Sequence, residues 1–122
     1  MSFMPGLTII VAGADNERFH AALSLAAANA ALGQRTRLFL QGEAVSLLAA
    51  PQRTPDEHYR KHGIPSCEEL LDEALGIGVE VSACQSGLAL AGLSADALPH
   101  RVGTGGLVEL LASRGDDQLI MA

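Results

Sequence analysis

The chain has 122 residues and a formal net charge of −6, with 48% apolar, 18% charged and only 3% aromatic residues. This length fits a single domain over residues 1–122, and the apolar fraction excludes a disordered chain. Only one of the charged residues is a lysine, so we expect no binding to nucleic acid. No apolar run reaches the ~18–20 residues of a membrane span, so we expect a cytoplasmic protein that does not bind a membrane.

The first third of the chain predicts a β–α–β unit. Residues 7–12 form a short apolar, β-branched run that is typical of a strand buried on both faces, and residues 35–40 predict a second strand. Residues 16–32 between them are Ala-rich, with Asp15 as a candidate N-cap and Gly33 as the stop, which indicates a helix. A helix that joins two strands in this way makes a right-handed crossover, so the strands should lie parallel.

The middle of the chain predicts two helices separated by a loop. A short helix is expected over residues 43–50. Residues 52–65 are polar and contain two of the five prolines, which predicts a mobile loop. Ser66 and Glu69 have the spacing of a capping box, which predicts a helix from this point to about Leu75.

The last third of the chain continues the alternation of strands and helices. Residues 79–83 predict a strand that runs directly into Cys84, and a short helix follows over residues 85–91. A helical turn over 94–98, a helix over 104–113 and a strand over 118–121 complete the chain. The alternation predicts an α/β fold with three α/β/α layers and a mostly parallel sheet of about four to five strands.

Candidate chemistry concentrates where strands end. In an open parallel sheet, ligands bind beyond the carboxyl ends of the strands. Gln41 and Gly42 follow the second strand, whereas Cys84, Gln85 and Ser86 follow the third. A cysteine between a strand and a helix N-terminus experiences the helix dipole and free N–H groups, both of which stabilise a thiolate. The residue types alone leave open that Cys84 is a small buried apolar side chain.

Cys67 supplies a second thiol in the first turn of the helix before the third strand. The rise of that helix, about 15 Å, and the return of the strand, about 17 Å, nearly cancel, so both thiols are expected at the same edge of the sheet. Cys67 is therefore either a spectator or a partner thiol for Cys84.

Other motifs give no support for a metal or a cofactor. His58 and His62 are spaced i, i+4, which suits a metal on a helix, but Gly63 and Pro65 favour a loop. The chain contains no GxGxxG run and no Walker sequence, and the two cysteines do not form a CxxC pair. We therefore expect no metal site and no cofactor.

The run over residues 78–93, GVEVSACQSGLALAGL, resembles the segment that carries the sulfur-accepting cysteine of the DsrE/DsrF-like family, which includes the TusD-type sulfur-relay proteins. Residues 7–12, the Ala-rich helix and residues 38–45 resemble the opening of that family. Residues 102–107 and the last strand resemble related peroxiredoxin-like small proteins. The resemblance covers nearly the whole chain and implies an α/β/α domain, a transient persulfide on Cys84 and homo-oligomers from trimers to hexamers.

Three functions are compatible with these residues. The first is a small sulfur-trafficking protein in which Cys84 accepts sulfane sulfur from a donor protein and passes it to an acceptor protein. The second is a non-catalytic oligomeric binding module of the same fold, with a buried and sluggish Cys84, and the third is a thiol redox switch between Cys67 and Cys84. The few charges predict exposed apolar surface and hence a homotrimer or a hexamer. The residues expected to contact a bound sulfur are Gln41, Gly42, Gln85 and Ser86.

Overall fold

The computed structural model describes residues 5–49 and 53–122. The strands are β1 (Leu7–Ala12), β2 (Thr36–Gln41), β3 (Glu80–Cys84), β4 (Gly103–Gly105) and β5 (Gln118–Met121). The helices are α1 (Asn16–Ala31), α2 (Ser46–Ala49), α3 (Arg53–Lys61), α4 (Cys67–Gly76), α5 (Gln85–Ala91) and α6 (Leu107–Ala112), with 3₁₀ turns at Gly42–Val45 and Ala95–Ala97.

The strands form one sheet in the order β4-β3-β2-β1-β5, and every neighbouring pair is parallel. β1 and β2 lie at its centre and bury five consecutive residues each, as strands covered on both faces do. The register pairs Ala12 with Gln41 and Leu40 with Ala83. Gln41 and Cys84 are therefore the next residues of adjacent strands, at the carboxyl edge of the sheet.

Helices α1 and α4 pack against each other on one face of the sheet. The side chain of Asn29 on α1 donates to Thr36 Oγ1 on β2 over 2.9 Å, which fixes α1 above the central strands. The predicted capping box begins α4, since Glu69 N–H donates to Ser66 Oγ (3.1 Å) and Ser66 N–H donates to Glu69 Oε1 (3.0 Å).

Helix α6 lies against the opposite face, because it meets Arg37, whose side chain alternates with those of Thr36 and Leu38 along β2. Arg37 Nη1 donates to Ser113 Oγ over 2.8 Å and Nη2 donates to the Leu110 carbonyl over 3.2 Å. Helices on both faces of an all-parallel sheet confirm the predicted three-layer α/β/α fold.

The predicted loop over residues 52–65 is wrong where the structure has α3. The tertiary contact that favours this helix is a stack between the rings of Tyr59 and His20 on α1, with centroids 3.8 Å apart. Such a partner, distant in sequence, leaves no periodic apolar pattern in a polar segment. Residue 52 lies outside the described residues.

Two further element boundaries differ from the prediction. The predicted helix over residues 104–113 begins only at Leu107, because Gly103–Gly105 pairs with β3 as an edge strand. Two glycines in three residues carry no side-chain pattern, so pairing alone makes this strand. The predicted helix over 43–50 is a 3₁₀ turn that continues into α2 as far as Ala49, and residue 50 lies outside the described residues.

Candidate functional site

Cys84 is the last residue of β3 and the N-cap of α5. Its extended backbone lets the side chain turn back over the first turn of the helix, where Sγ accepts the N–H of Gly87 over 3.4 Å. The residue is only 5% exposed. The thiol therefore takes the place that a Ser or Asp oxygen occupies at most helix N-termini.

Hydrogen-bond donors from two segments converge on this sulfur. Burial raises the pKa of the Cys84 thiol, but hydrogen bonds from the backbone of Gly87, Gly42 and Ser86 and from the Ser86 side chain lower it, and the net pKa lies below the ordinary value. Donors that bond to the charged form stabilise the thiolate. Cys84 therefore carries more thiolate at neutral pH than an ordinary cysteine does, and the thiolate is the nucleophilic form.

The turn after β2 packs directly against α5. A Cβ on Gly87 would lie 2.5 Å from the carbonyl oxygen and 3.1 Å from the Cα of Gly42, so only glycine fits at this contact. Gly42 itself has a positive φ of 58°. The two glycines bring the end of β2 within reach of a sulfur at the end of β3.

The structure brings some of the predicted contact residues to the thiol. Hydrogen bonding by Gly42 and Ser86 is among the causes that lower the pKa of the Cys84 thiol. Gln85 is exposed at the first position of α5. Gln41 places a buried Oε1 that accepts no hydrogen bond from the described residues. The contacts of Gln41, Gly42, Gln85 and Ser86 with a bound sulfur stay predictions.

Gly87 is a site residue that the sequence analysis missed. Its signal was present, since a residue three positions after a helix N-cap donates its N–H to the cap side chain. The sequence predicts Cys84 between a strand and a helix N-terminus and does not assign it as the cap. The spacing from Cys84 to Gly87 therefore carried no weight.

Cys67 also lies at the carboxyl edge of the sheet. It is buried in the first turn of α4, and its Sγ donates to the backbone carbonyl of Asn16, the first residue of α1, over 3.8 Å. Both cysteines lie within the described residues, and no disulfide joins them. The redox switch stays a prediction, and a reversible loss of two hydrogens from the intact mass under mild oxidant tests it.

No metal cluster occurs among residues 5–49 and 53–122, where no three His, Cys, Asp or Glu side chains converge. The ring of His58 on α3 meets that of His62, the first residue after α3, edge to face with centroids 5.4 Å apart. Within the same part of the chain, no helix combines the length and the apolar character that crossing a membrane requires.

The model of the DsrE/DsrF-like family matches residues 6–119. The chain belongs to the DsrE/DsrF-like family. This assignment confirms the resemblance drawn from the sequence, and the family includes sulfur-relay proteins. No curated protein matches the chain.

Solved structures with the DsrE/DsrF-like fold superimpose on nearly the whole chain. The YchN protein of E. coli has 22% identity and a TM-score of 0.71, with 97% of this chain and 98% of that one covered. MTH1491 of Methanobacterium thermoautotrophicum, a protein of unknown function, has 18% identity and a TM-score of 0.71, with 98% and 100% covered. BT1422 of Bacteroides thetaiotaomicron, also of unknown function, has 15% identity and a TM-score of 0.64, with 94% of each chain covered. At these identities the likeness shows the fold alone.

Proposed function

We propose that this protein is a sulfur carrier that holds sulfane sulfur as a persulfide on Cys84. The observation that carries the proposal is the place of Cys84 at the N-cap of α5, where the Gly87 N–H donates to Sγ over 3.4 Å and so favours a negatively charged sulfur. Hydrogen bonding by Gly42 and Ser86 also lowers the pKa of the thiol. Membership of a family that includes sulfur-relay proteins supports it.

The proposed reaction is a thiol exchange that needs no external oxidant. The Cys84 thiolate attacks the outer sulfur of a donor persulfide, a bond forms between Sγ and that sulfur, and the donor S–S bond breaks to release the donor thiolate. An acceptor thiolate then attacks the same outer sulfur and releases Cys84 as a thiolate. In the second step the N–H donors stabilise Cys84 as the leaving group.

The proposed partners are donor and acceptor proteins, together with further copies of this chain. We place the carrier in the cytoplasm. We also propose a homotrimer or a hexamer, because large apolar side chains remain exposed on the described surface. The most exposed of these are Leu90 (88%), Val108 (85%), Leu32 (78%) and Met121 (66%).

Incubation with a low-molecular-weight persulfide, followed by intact-mass measurement, tests the carrier. We expect the wild type to gain the mass of one sulfur atom and to lose it when a thiol acceptor is added. Cys84→Ser should gain nothing, whereas Cys67→Ser, the matched control, should gain as the wild type does. Absence of the adduct on the wild type, or its persistence in Cys84→Ser, rejects the carrier.

A second candidate function is the non-catalytic binding module, which the 5% exposure of Cys84 favours. In such a module the buried thiol would react with iodoacetamide near neutral pH only after local opening exposes it. The carrier instead requires alkylation in the native state, at a rate that rises with the thiolate fraction. The dependence of the alkylation rate on pH below the ordinary thiol pKa separates the two functions.

A further inference from the structure

The turn after β2 lies against the first turn of α5, where Cys84 is the N-cap. Gly42 follows the last residue of β2 and begins the 3₁₀ turn, and hydrogen bonding by its backbone is one of the causes that lower the pKa of the Cys84 thiol. Its carbonyl and Cα lie against Gly87, whose own N–H donates to Cys84 Sγ over 3.4 Å. The two segments therefore contact each other at Gly87, the residue that donates to the sulfur.

We infer that Gly42 is a positioning residue for Cys84. The left-handed backbone conformation of Gly42 directs its N–H to the sulfur, and the Gly42 carbonyl packs the turn against Gly87. The inference rests on the proposed function in one respect, namely that the position of Sγ matters for sulfur transfer only if Cys84 reacts.

The backbone, and not the surrounding space, is what makes glycine necessary at position 42. Its φ is 58°, which L-residues with a branched side chain rarely adopt. A Cβ placed on Gly42 would meet nothing within 4 Å. A side chain at position 42 is therefore disfavoured by the backbone conformation alone. Asn tolerates this conformation and Val does not, so a comparison of the two variants separates the effect of conformation from that of side-chain bulk.

Gly63 provides a control that has the same left-handed backbone conformation but does not contact Cys84. It follows α3 with a φ of 71°, and a Cβ there also meets nothing within 4 Å. Its N–H donates to the Arg60 carbonyl over 3.0 Å, within its own turn. Gly63→Val therefore imposes the same kind of backbone strain at a place that does not contact Cys84.

The first experiment measures the rate of iodoacetamide alkylation of Cys84 against pH in a Cys67→Ser background. We expect Gly42→Val to move the midpoint upward by about one pH unit, which corresponds to the loss of one hydrogen bond to a charged group. Gly42→Asn should restore a midpoint close to that of the parent, and Gly63→Val should leave it unchanged. A folded Gly42→Val variant with the parent midpoint overturns the inference.

The second experiment needs no variant at position 42 and so holds even if Gly42→Val fails to fold. In a pH titration followed by NMR of the backbone amides, we expect the Gly42 and Gly87 amides to shift with one shared midpoint, which disappears in Cys84→Ser. The Gly63 amide should not follow that midpoint. A Gly42 amide that ignores the ionisation of Cys84 overturns the inference, and neither experiment uses a sulfur donor, so failure of persulfide formation would be a separate result.

Discussion

Cys84 shows how a backbone can lower the pKa of a side chain. Among the described residues, the causes of the lowered pKa are hydrogen bonds from the backbones of Gly87, Gly42 and Ser86 and from the Ser86 side chain. Burial disfavours the thiolate, and these donors reverse that effect because a hydrogen bond to a charged acceptor is about twice as strong as one to a neutral acceptor. The chemistry of the site therefore depends on backbone geometry as much as on the identity of Cys84.

Removal of the Ser86 hydroxyl tests the single side-chain donor. We expect Ser86→Ala to raise the midpoint of Cys84 alkylation by about half a pH unit, since the backbone donors remain. Ser24→Ala is the matched control, because the Ser24 hydroxyl donates to the His20 carbonyl on the exposed side of α1. An equal shift in both variants would mean that the hydroxyl of Ser86 does not act on the thiol directly.

The lowered pKa of Cys84 also makes stability depend on pH, with a defined sign. Between the folded-state pKa and the ordinary thiol value of about 8.5, the unfolded chain holds a proton that the native protein has released, so stability rises with pH across that window and is lost as pH falls through the folded pKa. We expect the unfolding free energy of the wild type, minus that of Cys84→Ser, to increase with pH up to the ordinary thiol pKa of about 8.5 and to level off above it. Urea titrations measure it, and a flat or falling difference would contradict the lowered pKa.

At the scale of elements, the polar cluster under α6 joins parts of the chain that are far apart in sequence. Thr8 Oγ1 donates to Asp117 Oδ2 over 3.2 Å, and the Arg37 Nε lies 3.2 Å from Thr8 Oγ1 and 3.7 Å from Asp117 Oδ2. Asp117 and Arg37 are each 7% exposed. The cluster ties β1, β2 and the start of β5 together on the face that α6 covers.

Asp117→Ala should be the most damaging polar substitution in this cluster. It leaves the guanidinium of Arg37 buried without its carboxylate, so we expect a loss of about 3 kcal/mol in the free energy of unfolding. Asp116→Ala, at an exposed neighbouring position, should change it by less than about 0.5 kcal/mol. Chemical denaturation of both variants measures the difference, and equal losses would show that the buried pair contributes nothing specific.

How far the elements could be predicted depended on whether their signals were local. β1, α1 and β2 carry continuous apolar runs or an Ala-rich stretch with end signals, and the Ser66 capping box marks the start of α4 within a few residues. By contrast, α3 has its ring contact with His20 on another helix, and β4 exists only through its pairing with β3. Contacts between distant segments leave no trace in a local pattern.

The candidate site divides in the same way. Cys84 could be found because a thiol between a strand and a helix is a local feature of the sequence. The contact between Gly42 and Gly87 could not, because it depends on β2 lying beside β3 and on the conformation of the turn that follows. The candidate cysteine could be identified from the sequence, whereas the packing around it could not.

At the scale of the whole molecule, the order of the strands determines where chemistry and contact surfaces lie. The parallel register brings the ends of β2 and β3 together at one edge, where Cys84 lies. On the face covered by α6, the helix and β5 expose large apolar side chains. These are Leu107, Val108, Leu111, Leu119 and Met121. This apolar surface on α6 and β5 does not include Cys84, which is buried at the end of β3.

The proposed homo-oligomer can be tested directly. We expect light scattering after size-exclusion chromatography to give the mass of a trimer or a hexamer at micromolar concentration, since burial of exposed apolar area drives association. Val108→Glu, which places a charge at a position that is 85% exposed, should shift the protein to smaller species, whereas Ala28→Glu on the exposed side of α1 should not. A monomeric wild type would contradict the assembly, and an unchanged Val108→Glu would move the interface away from α6 and β5.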